Sequence, residues 1–402
     1  MYPTIYDAVK DLFGIDLPFF KLLQSFGFFV AIAFLLCAWV FAKELNRKDL
    51  EGKFPNYKTK FRKVIKGAPM TQSDIAGTFL IAFLIGWKLT DIFRSGHPAA
   101  QDPRGWVLST HGNVVAGIIV GVAWTAGRWW WTNRNKLEKP EESEERIAPA
   151  EHIGNMTLLA ALFGFLGAKI FHILENFGDF LEKPGDMLFS FSGLTMYGGL
   201  IMGGAAVLIY ARRQGMSLLH VMDACAPGLF LAYGVGRIGC HVAGDGDWGI
   251  VNTHPKPGFL PQWLWAYDYP NNVNGVCNPY TPDSPEYLMG QIKAAMCDPA
   301  HPRLIAPVFP TPLYEAIVNV GFFFLFWLLL RKRVKAPGML FSIYLMCNGI
   351  ERFFVELIRV NTTLFHIGTW HVTQAEFIAF CLFTLGLAGF FYTKKRATPT
   401  LA

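Results

Sequence analysis

The chain has 402 residues, of which 52% are hydrophobic, 15% aromatic and only 16% charged. Soluble domains carry about 25% charged residues, so an ordinary soluble domain is excluded. The net charge of +6 does not indicate nucleic-acid binding, because the basic residues lie in loops beside apolar runs, where they set membrane topology. The apolar residues fall in blocks of about 20, the length that crosses a hydrocarbon core about 30 Å thick. Two-residue alternation is scarce, which argues against a β-barrel. The expected fold class is therefore an all-α polytopic membrane protein.

In chain order, residues 1–16 carry charges and Pro3. The first apolar run leads into a basic loop without a small-residue cleavage site, so no cleavable signal peptide is expected. The first span is predicted over 22–42. The loop 43–67 holds nine Lys/Arg against three acids, which makes it cytoplasmic and puts the N-terminus outside. Spans are predicted over 74–94 and 112–131, the latter ending in Arg-Trp-Trp-Trp at 128–131. A charged, proline-containing inner loop follows. Further spans are predicted over 154–175, 192–211, 220–242, 312–331, 338–357 and 374–393. The basic ends at Arg212–Arg213, Arg331–Lys335 and Lys394–Arg396 then share the inner side. The count is about nine spans, N-terminus out and C-terminus in. The polar stretch 243–309 is too long for a connector and is expected to be an external subdomain.

Cys37, Cys225, Cys240, Cys347 and Cys381 lie in or beside apolar runs, where cysteine acts as a small hydrophobe. Cys277 and Cys297 lie in the external stretch. In a bacterium that stretch faces the oxidising periplasm, so a disulfide between them is expected.

Ionisable residues recur inside the predicted spans, where they are costly and face an interior or a water-filled cavity. Lys88 and Asp91 are one turn apart and are expected to pair. Lys169, His172 and Glu175 share a face, and Asp223 lies in the sixth span. Arg237, His241 and Asp245 follow at spacings of four, among glycines. Glu315 opens the seventh span, and Glu351, Arg352, Glu356 and Arg359 close the eighth. A single such residue is best read as an interhelical contact or a snorkelling side chain. Several arginines and carboxylates near one side instead point to a shared polar cavity. Guanidinium forks match phosphate oxygens, and a phosphate at interfacial depth is most simply a phospholipid headgroup. The glycine run at 192–206 allows either close helix packing or backbone approach to an anion.

The segments 167–173 (GAKIFHI), 196–204 (MYGGLIMGG), 236–249 (GRIGCHVAGDGDWG), 309–317 (FPTPLYEAI) and 351–359 (ERFFVELIR) occur in this order. Together they resemble the prolipoprotein diacylglyceryl transferase family. That family carries a His-Gly-Gly-Leu segment, then Gly-Arg-(Ile/Leu)-Gly-Asn-Phe-x-Asn-Gly-Glu, then His-Pro-x-Gln-Leu-Tyr-Glu, then Arg-x-x-x-Glu-x-x-Arg. The resemblance covers 18–45 weakly and 152–393 well. Matching positions are Gly198, Gly199, Arg237, Gly239, Gly244, Tyr314, Glu315, Arg352, Glu356 and Arg359. Departures are Tyr197 for the first histidine, Cys240 and Ala243 for the asparagines, His241 for phenylalanine, Asp245 for glutamate, Phe309 for the second histidine and Pro312 for glutamine. Lys169 stands where arginine is frequent. The chain reads as a divergent member, with a first segment over 1–45, two extra spans over 46–151, a transferase-like core over 152–393 with an insertion at 250–309, and a cytoplasmic tail at 394–402.

The resemblance implies transfer of the diacylglyceryl group of phosphatidylglycerol to the lipobox cysteine thiol of prolipoproteins, at the outer face of the bacterial inner membrane. It places Arg237, assisted by Arg352, on the departing phosphate. Glu356 would hold an arginine, and Glu315 would orient the acceptor or its neighbours. His241, Asp245 and Tyr197 are the candidate bases. Substrate contacts are expected from Gly198, Gly199, Lys169, Gly239, Gly244, Tyr314 and Arg359. Asp245 and Asp247 are too few oxygen ligands for a calcium site, so no metal and no cofactor are expected. The partners are a phospholipid donor, the prolipoprotein signal-peptide region and, through the extra spans or the external loop, a membrane protein. Two alternatives remain: a related lipid transferase with another donor or acceptor, and a non-catalytic lipid-binding subunit.

Overall fold

The structure, a computed structural model, describes residues 1–17, 20, 21, 23–57, 61–66, 68–92, 111–137, 141–182, 184–189, 195–280, 284, 286–298, 300–359, 363–367 and 370–397. It is mostly helical. A short helix α1 (Ile5–Phe13) precedes α2 (Ser25–Leu50), α3 (Gln72–Ile92) and α4 (Val114–Arg134). Then come α5 (Ile153–Glu175), α6 (Met196–Arg213) and α7 (Leu218–Ala243). The last three long helices are α8 (Thr311–Phe324), α9 (Met339–Glu356) and α10 (Gln374–Ala397). α8 continues through a π-helical stretch, Leu325–Leu330, to Arg333. Every apolar run predicted to span is thus mostly helical where it is described. Among the described residues, five segments are long and apolar enough to cross a membrane: Ser25–Leu50, Pro149–Glu175, Leu218–Ala243, Thr311–Arg333 and Gln374–Arg396. In hydrocarbon only internal hydrogen bonds satisfy the backbone, which is why these runs coil.

The all-α expectation needs one amendment. β1 (Phe61–Lys66) pairs antiparallel with β2 (Glu141–Arg146), in a register that sets Arg62 opposite Glu145 and Lys63 opposite Glu144. A basic strand meets an acidic one, a pairing that favours this register. A second pair joins β3 (Thr363–Ile367) to β4 (Trp370–Thr373). The side chain of Asp91, expected to pair with Lys88, lies outside the described residues.

Small residues let the helices touch. A Cβ on Gly167 would lie 2.4 Å from the Gly198 carbonyl, and one on Gly198 would lie 2.5 Å from the Gly167 carbonyl. α5 and α6 therefore meet backbone to backbone, the packing that suits helices in lipid. α3 and α4 pair in the same way through Gly86, Gly117 and Gly121, set against Val120, Phe83 and Phe79. α2, α7, α8 and α9 enclose a core of Val40, Phe230, Phe323, Phe326 and Leu340.

α2 outruns its predicted end at 42. Its last turns carry Glu44, which is fully buried and bonded 2.7 Å from both Arg47 and Arg331. Lys48 lies 3.7 Å from Asp223 of α7. Asp223 in turn accepts from the backbone amides of Gly338 and Phe341, at 2.8 and 2.9 Å. It caps the start of α9, where the free amides and the helix dipole favour an anion.

Within the described part of 243–309, Trp248, Tyr269, Leu304 and Val308 form a small core of their own. The expected Cys277–Cys297 disulfide is formed, with the Cα atoms 6.4 Å apart. The N-terminal segment docks on this unit: Met1 donates to the Pro270 carbonyl at 2.8 Å, and Tyr2 to the Val242 carbonyl at 2.8 Å.

Candidate active site

The candidate site is built where α7, α8 and α9 end together. Tyr233, Arg237 and Cys240 recur at helical spacing on α7 and so share a face. Arg237 lies against the Tyr233 ring, 5.2 Å from its centroid. The focus is Glu315 on α8, which is fully buried. Tyr233 donates to it at 2.8 Å. Arg237 Nε lies 3.1 Å from Glu315 Oε2, an ion pair without hydrogen-bond alignment. Arg352 Nη1 donates to Oε1 at 3.2 Å, and Arg359 Nη1 stands 3.7 Å from the same oxygen. Three arginines, one from α7, one from the end of α9 and one just beyond it, converge on one carboxylate. A buried carboxylate left without partners would be strongly destabilising, which explains why it is surrounded.

Two more carboxylates hold the outer parts of these arginines. Glu356 lies 3.1 Å from Arg352 and accepts from Thr373 at 2.7 Å. Asp247 bridges Arg237 and Arg359. It comes from the loop after α7. That loop starts at Gly244 and turns again at Gly246, whose φ values of 65° and 98° favour glycine. Its backbone is pinned: Thr311 donates to the Asp247 carbonyl at 2.8 Å, and Asn274 to the Asp245 carbonyl at 2.6 Å. Ile250 donates to Ile358 at 2.9 Å, which ties this loop to the end of α9. Burial raises the Asp247 carboxyl, but Arg237 and Arg359 outweigh it and hold it below the usual carboxylate range. Asp245 is pushed the other way, by burial first and then by the charge of Asp247.

The structure brings Arg237, Glu315, Arg352, Glu356 and Arg359 together, and it adds Tyr233 and Asp247. Glu315, expected to orient the acceptor or its neighbours, is paired with all three arginines. Asp245 lies at the edge of this group, beyond the end of the helix. His241 is drawn aside: its Nδ1 is 3.1 Å from the Tyr269 hydroxyl, and its ring packs on Tyr267 and Tyr269. Tyr197 lies in the first turn of α6. Lys169 is buried on α5.

The glycines serve the fold. Gly198 and Gly199 face α5, Gly239 faces Phe29 and Phe26 of α2, and Gly244 closes α7 in the left-handed conformation. Tyr314 donates to the Leu264 carbonyl at 2.6 Å, fastening α8 to the 243–309 unit. Asn319 was not singled out, yet it joins Glu351 to the Glu315 backbone at 3.2 and 2.8 Å.

Ligand atoms of Cys240, Asp245 and Asp247 lie within 4.8 Å of one another, the spacing of a cation site. Asp247 is already committed to two guanidinium groups, whose charges oppose a cation there. The same arrangement suits an anion. Arg352 Nε and Arg359 Nη1 are buried and have no hydrogen-bond partner among the described residues, so donor capacity remains for oxyanion oxygens.

A family model described as prolipoprotein diacylglyceryl transferase matches residues 114–392. It begins upstream of 152, so it takes in α4 as well as the expected core. Among similar proteins is a phosphatidylglycerol–prolipoprotein diacylglyceryl transferase of Leptospira interrogans, 28% identical over 249 residues, covering 56% of this chain and 67% of the relative. One of the same name from Clostridium tetani is 26% identical over 220 residues, covering 54% of this chain and 73% of its own. Another from Rhodococcus jostii is 25% identical over 292 residues, covering 71% and 70%.

Proposed function

The chain belongs to the prolipoprotein diacylglyceryl transferase family, and on that premise we propose that it transfers the diacylglyceryl group of phosphatidylglycerol to the lipobox cysteine thiol of a prolipoprotein. The observation that carries this reading is the convergence of Arg237, Arg352 and Arg359 on buried Glu315. In the reaction a carbon–sulfur bond forms and a carbon–oxygen bond breaks. The electron pair leaves on the phosphate oxygen, giving glycerol phosphate, and the thiol proton passes to a base. Preorganised guanidinium groups stabilise the charge that grows on the leaving phosphate. Glu315 and Glu356 fix their orientation, which removes the cost of arranging them during the reaction. A thiol of pKa about 8.5 needs deprotonation near neutrality. Asp245, with its raised pKa at the edge of the arginine group, is the best-placed of the three candidate bases.

The proposed setting is the bacterial inner membrane, with nine spans, the N-terminus out, the C-terminus in and the site toward the periplasm. Several observations support it. The N-terminal segment packs on the 243–309 unit, whose disulfide suits an oxidising compartment. The basic ends of α2 and α8 meet through Glu44, and β2 joins them through the Arg146–Asp49 pair at 2.9 Å. The proposed core is 152–393. α3 and α4 pack chiefly on each other, leaving them available to a membrane partner. Incubating the purified protein in phosphatidylglycerol vesicles with a lipobox peptide tests the reaction. A diacylglyceryl mass gain on the peptide is expected. No gain with phosphatidylglycerol, from folded protein, would refute the reading.

A further inference from the structure

The ion pairs of the site assign Asp247 a role of its own. Arg237, Arg352 and Arg359 are matched by Glu315, Glu356 and Asp247. A phosphate that joined this group with every carboxylate in place would add an unmatched negative charge to a largely buried site, where such charge is costly. One carboxylate must give way. Glu315 and Glu356 cannot: their side chains are 0% and 1% exposed, and they sit on the helices α8 and α9. Asp247 is 35% exposed, while the Arg237 and Arg359 side chains it bridges are 10% exposed. It therefore covers the outward side of the two arginines, and Glu315 backs the inward side. Its main chain is held by Thr311, so the side chain is the part that would rotate to release both guanidinium groups.

We propose that the Asp247 carboxylate occupies the phosphate position of the site as an internal counter-ion, and that an incoming phosphate monoanion or diester displaces it by side-chain rotation. The proposal rests on the transferase reading for the identity of that phosphate, the lipid headgroup. Exchange of one anion for another keeps the arginines neutralised throughout, so they stay folded and oriented between turnovers. It also makes Asp247 a competitor of the donor: the apparent donor affinity is the affinity of the arginines reduced by what Asp247 already holds. Asp247 is thus a positioning residue that sets KM, acting through the arginines and not on the reacting carbon.

The test is Asp247→Asn, with Asp247→Ser in parallel in case the amide does not fold. Kinetics with phosphatidylglycerol vesicles and a lipobox peptide should show KM for the lipid lowered by roughly tenfold, the scale of a charge-assisted hydrogen bond, with kcat changed much less. Asp247→Glu, which keeps the charge, should restore a KM near that of the natural protein. Independently of turnover, inorganic phosphate should raise the melting temperature of Asp247→Asn more than that of the natural protein, and should not raise that of Arg237→Ala. A raised KM in the neutral variants, or a smaller phosphate stabilisation, would overturn the proposal, because Asp247 would then help to bind the donor. Failure of both neutral variants to fold would overturn it too, since a carboxylate the fold cannot lose is not displaceable. If no thioether forms with any variant, the transferase reading fails, and the phosphate arm alone decides the role of Asp247.

Discussion

α7 carries a buried charge cluster near each end, and the two are built to opposite purposes. Near its start, Asp223 has its carboxylate taken up by two backbone amides of α9 and by Lys48. Fourteen residues on, about 21 Å along an ideal helix, Arg237 belongs to a group in which Arg352 Nε and Arg359 Nη1 are buried donors without a hydrogen bond among the described residues. The first cluster is closed and joins α2, α7 and α9. The second is held by carboxylates and still has capacity for an oxyanion. The contrast separates a structural ion pair from a binding site by what remains unsatisfied, not by burial or charge alone.

That contrast can be broken by substitution. The largest effect is expected from Arg237→Ala, which should lower turnover per folded molecule by about 100- to 1000-fold, the cost of losing one preorganised donor to a growing anion. Asp223→Ala should do the reverse. Leaving Lys48 and the α9 amides without their partner should cost about 3–5 kcal/mol, seen as a lower melting temperature, with the activity per folded molecule preserved. If Asp223→Ala instead abolished turnover in folded protein, the distinction between the clusters would fail.

A smaller effect concerns the 243–309 unit beside the site. Cys277→Ser opens a loop spanning 20 residues and should destabilise this unit by about 3 kcal/mol on loop entropy. Limited proteolysis between 277 and 297 reads it out.

The smallest effect is pH-dependent, and its sign differs between two neighbouring aspartates. The Asp245 pKa is raised in the fold. Its stabilising contribution is therefore full below the unfolded carboxylate pKa and is lost as pH rises through the folded value. Asp245→Asn should therefore raise the melting temperature above the unfolded carboxylate pKa, with the gain fading as pH falls below it. The Asp247 pKa is lowered. Its contribution is present above the unfolded carboxylate pKa and is lost as pH falls through the folded value, so Asp247→Asn should lower the melting temperature at pH 7 and not in strong acid. Melting curves across pH settle both.

The sequence carried the long helices well, because apolar blocks in lipid leave the backbone little choice but to coil. It also carried Arg237, Arg352, Glu356 and Arg359, whose spacing and charge stand out against apolar surroundings. The role of Glu315 needed the structure, since one acid among apolar residues does not announce which arginines fold around it. Asp247 was visible in Gly-Asp-Gly-Asp only as a weak cation signal; Arg359, 112 residues away, turns it into an arginine partner. Tyr233 was four residues from Arg237 and could have been found by helical spacing. Gly198 and Gly199 suited both an anion and a close helix contact, and only the position of α5 separates the two uses.

The central claim is that the arginine group at the end of α7 stabilises a departing lipid phosphate during transfer to a thiol. The most direct measurement counts both products in one reaction, thioether-linked diacylglyceryl peptide and free glycerol phosphate, for the natural protein and Arg237→Ala in phosphatidylglycerol vesicles. The natural protein should release the two in equal amounts, and folded Arg237→Ala should release almost none of either. Equal product from Arg237→Ala, or peptide modification without glycerol phosphate, would contradict the claim.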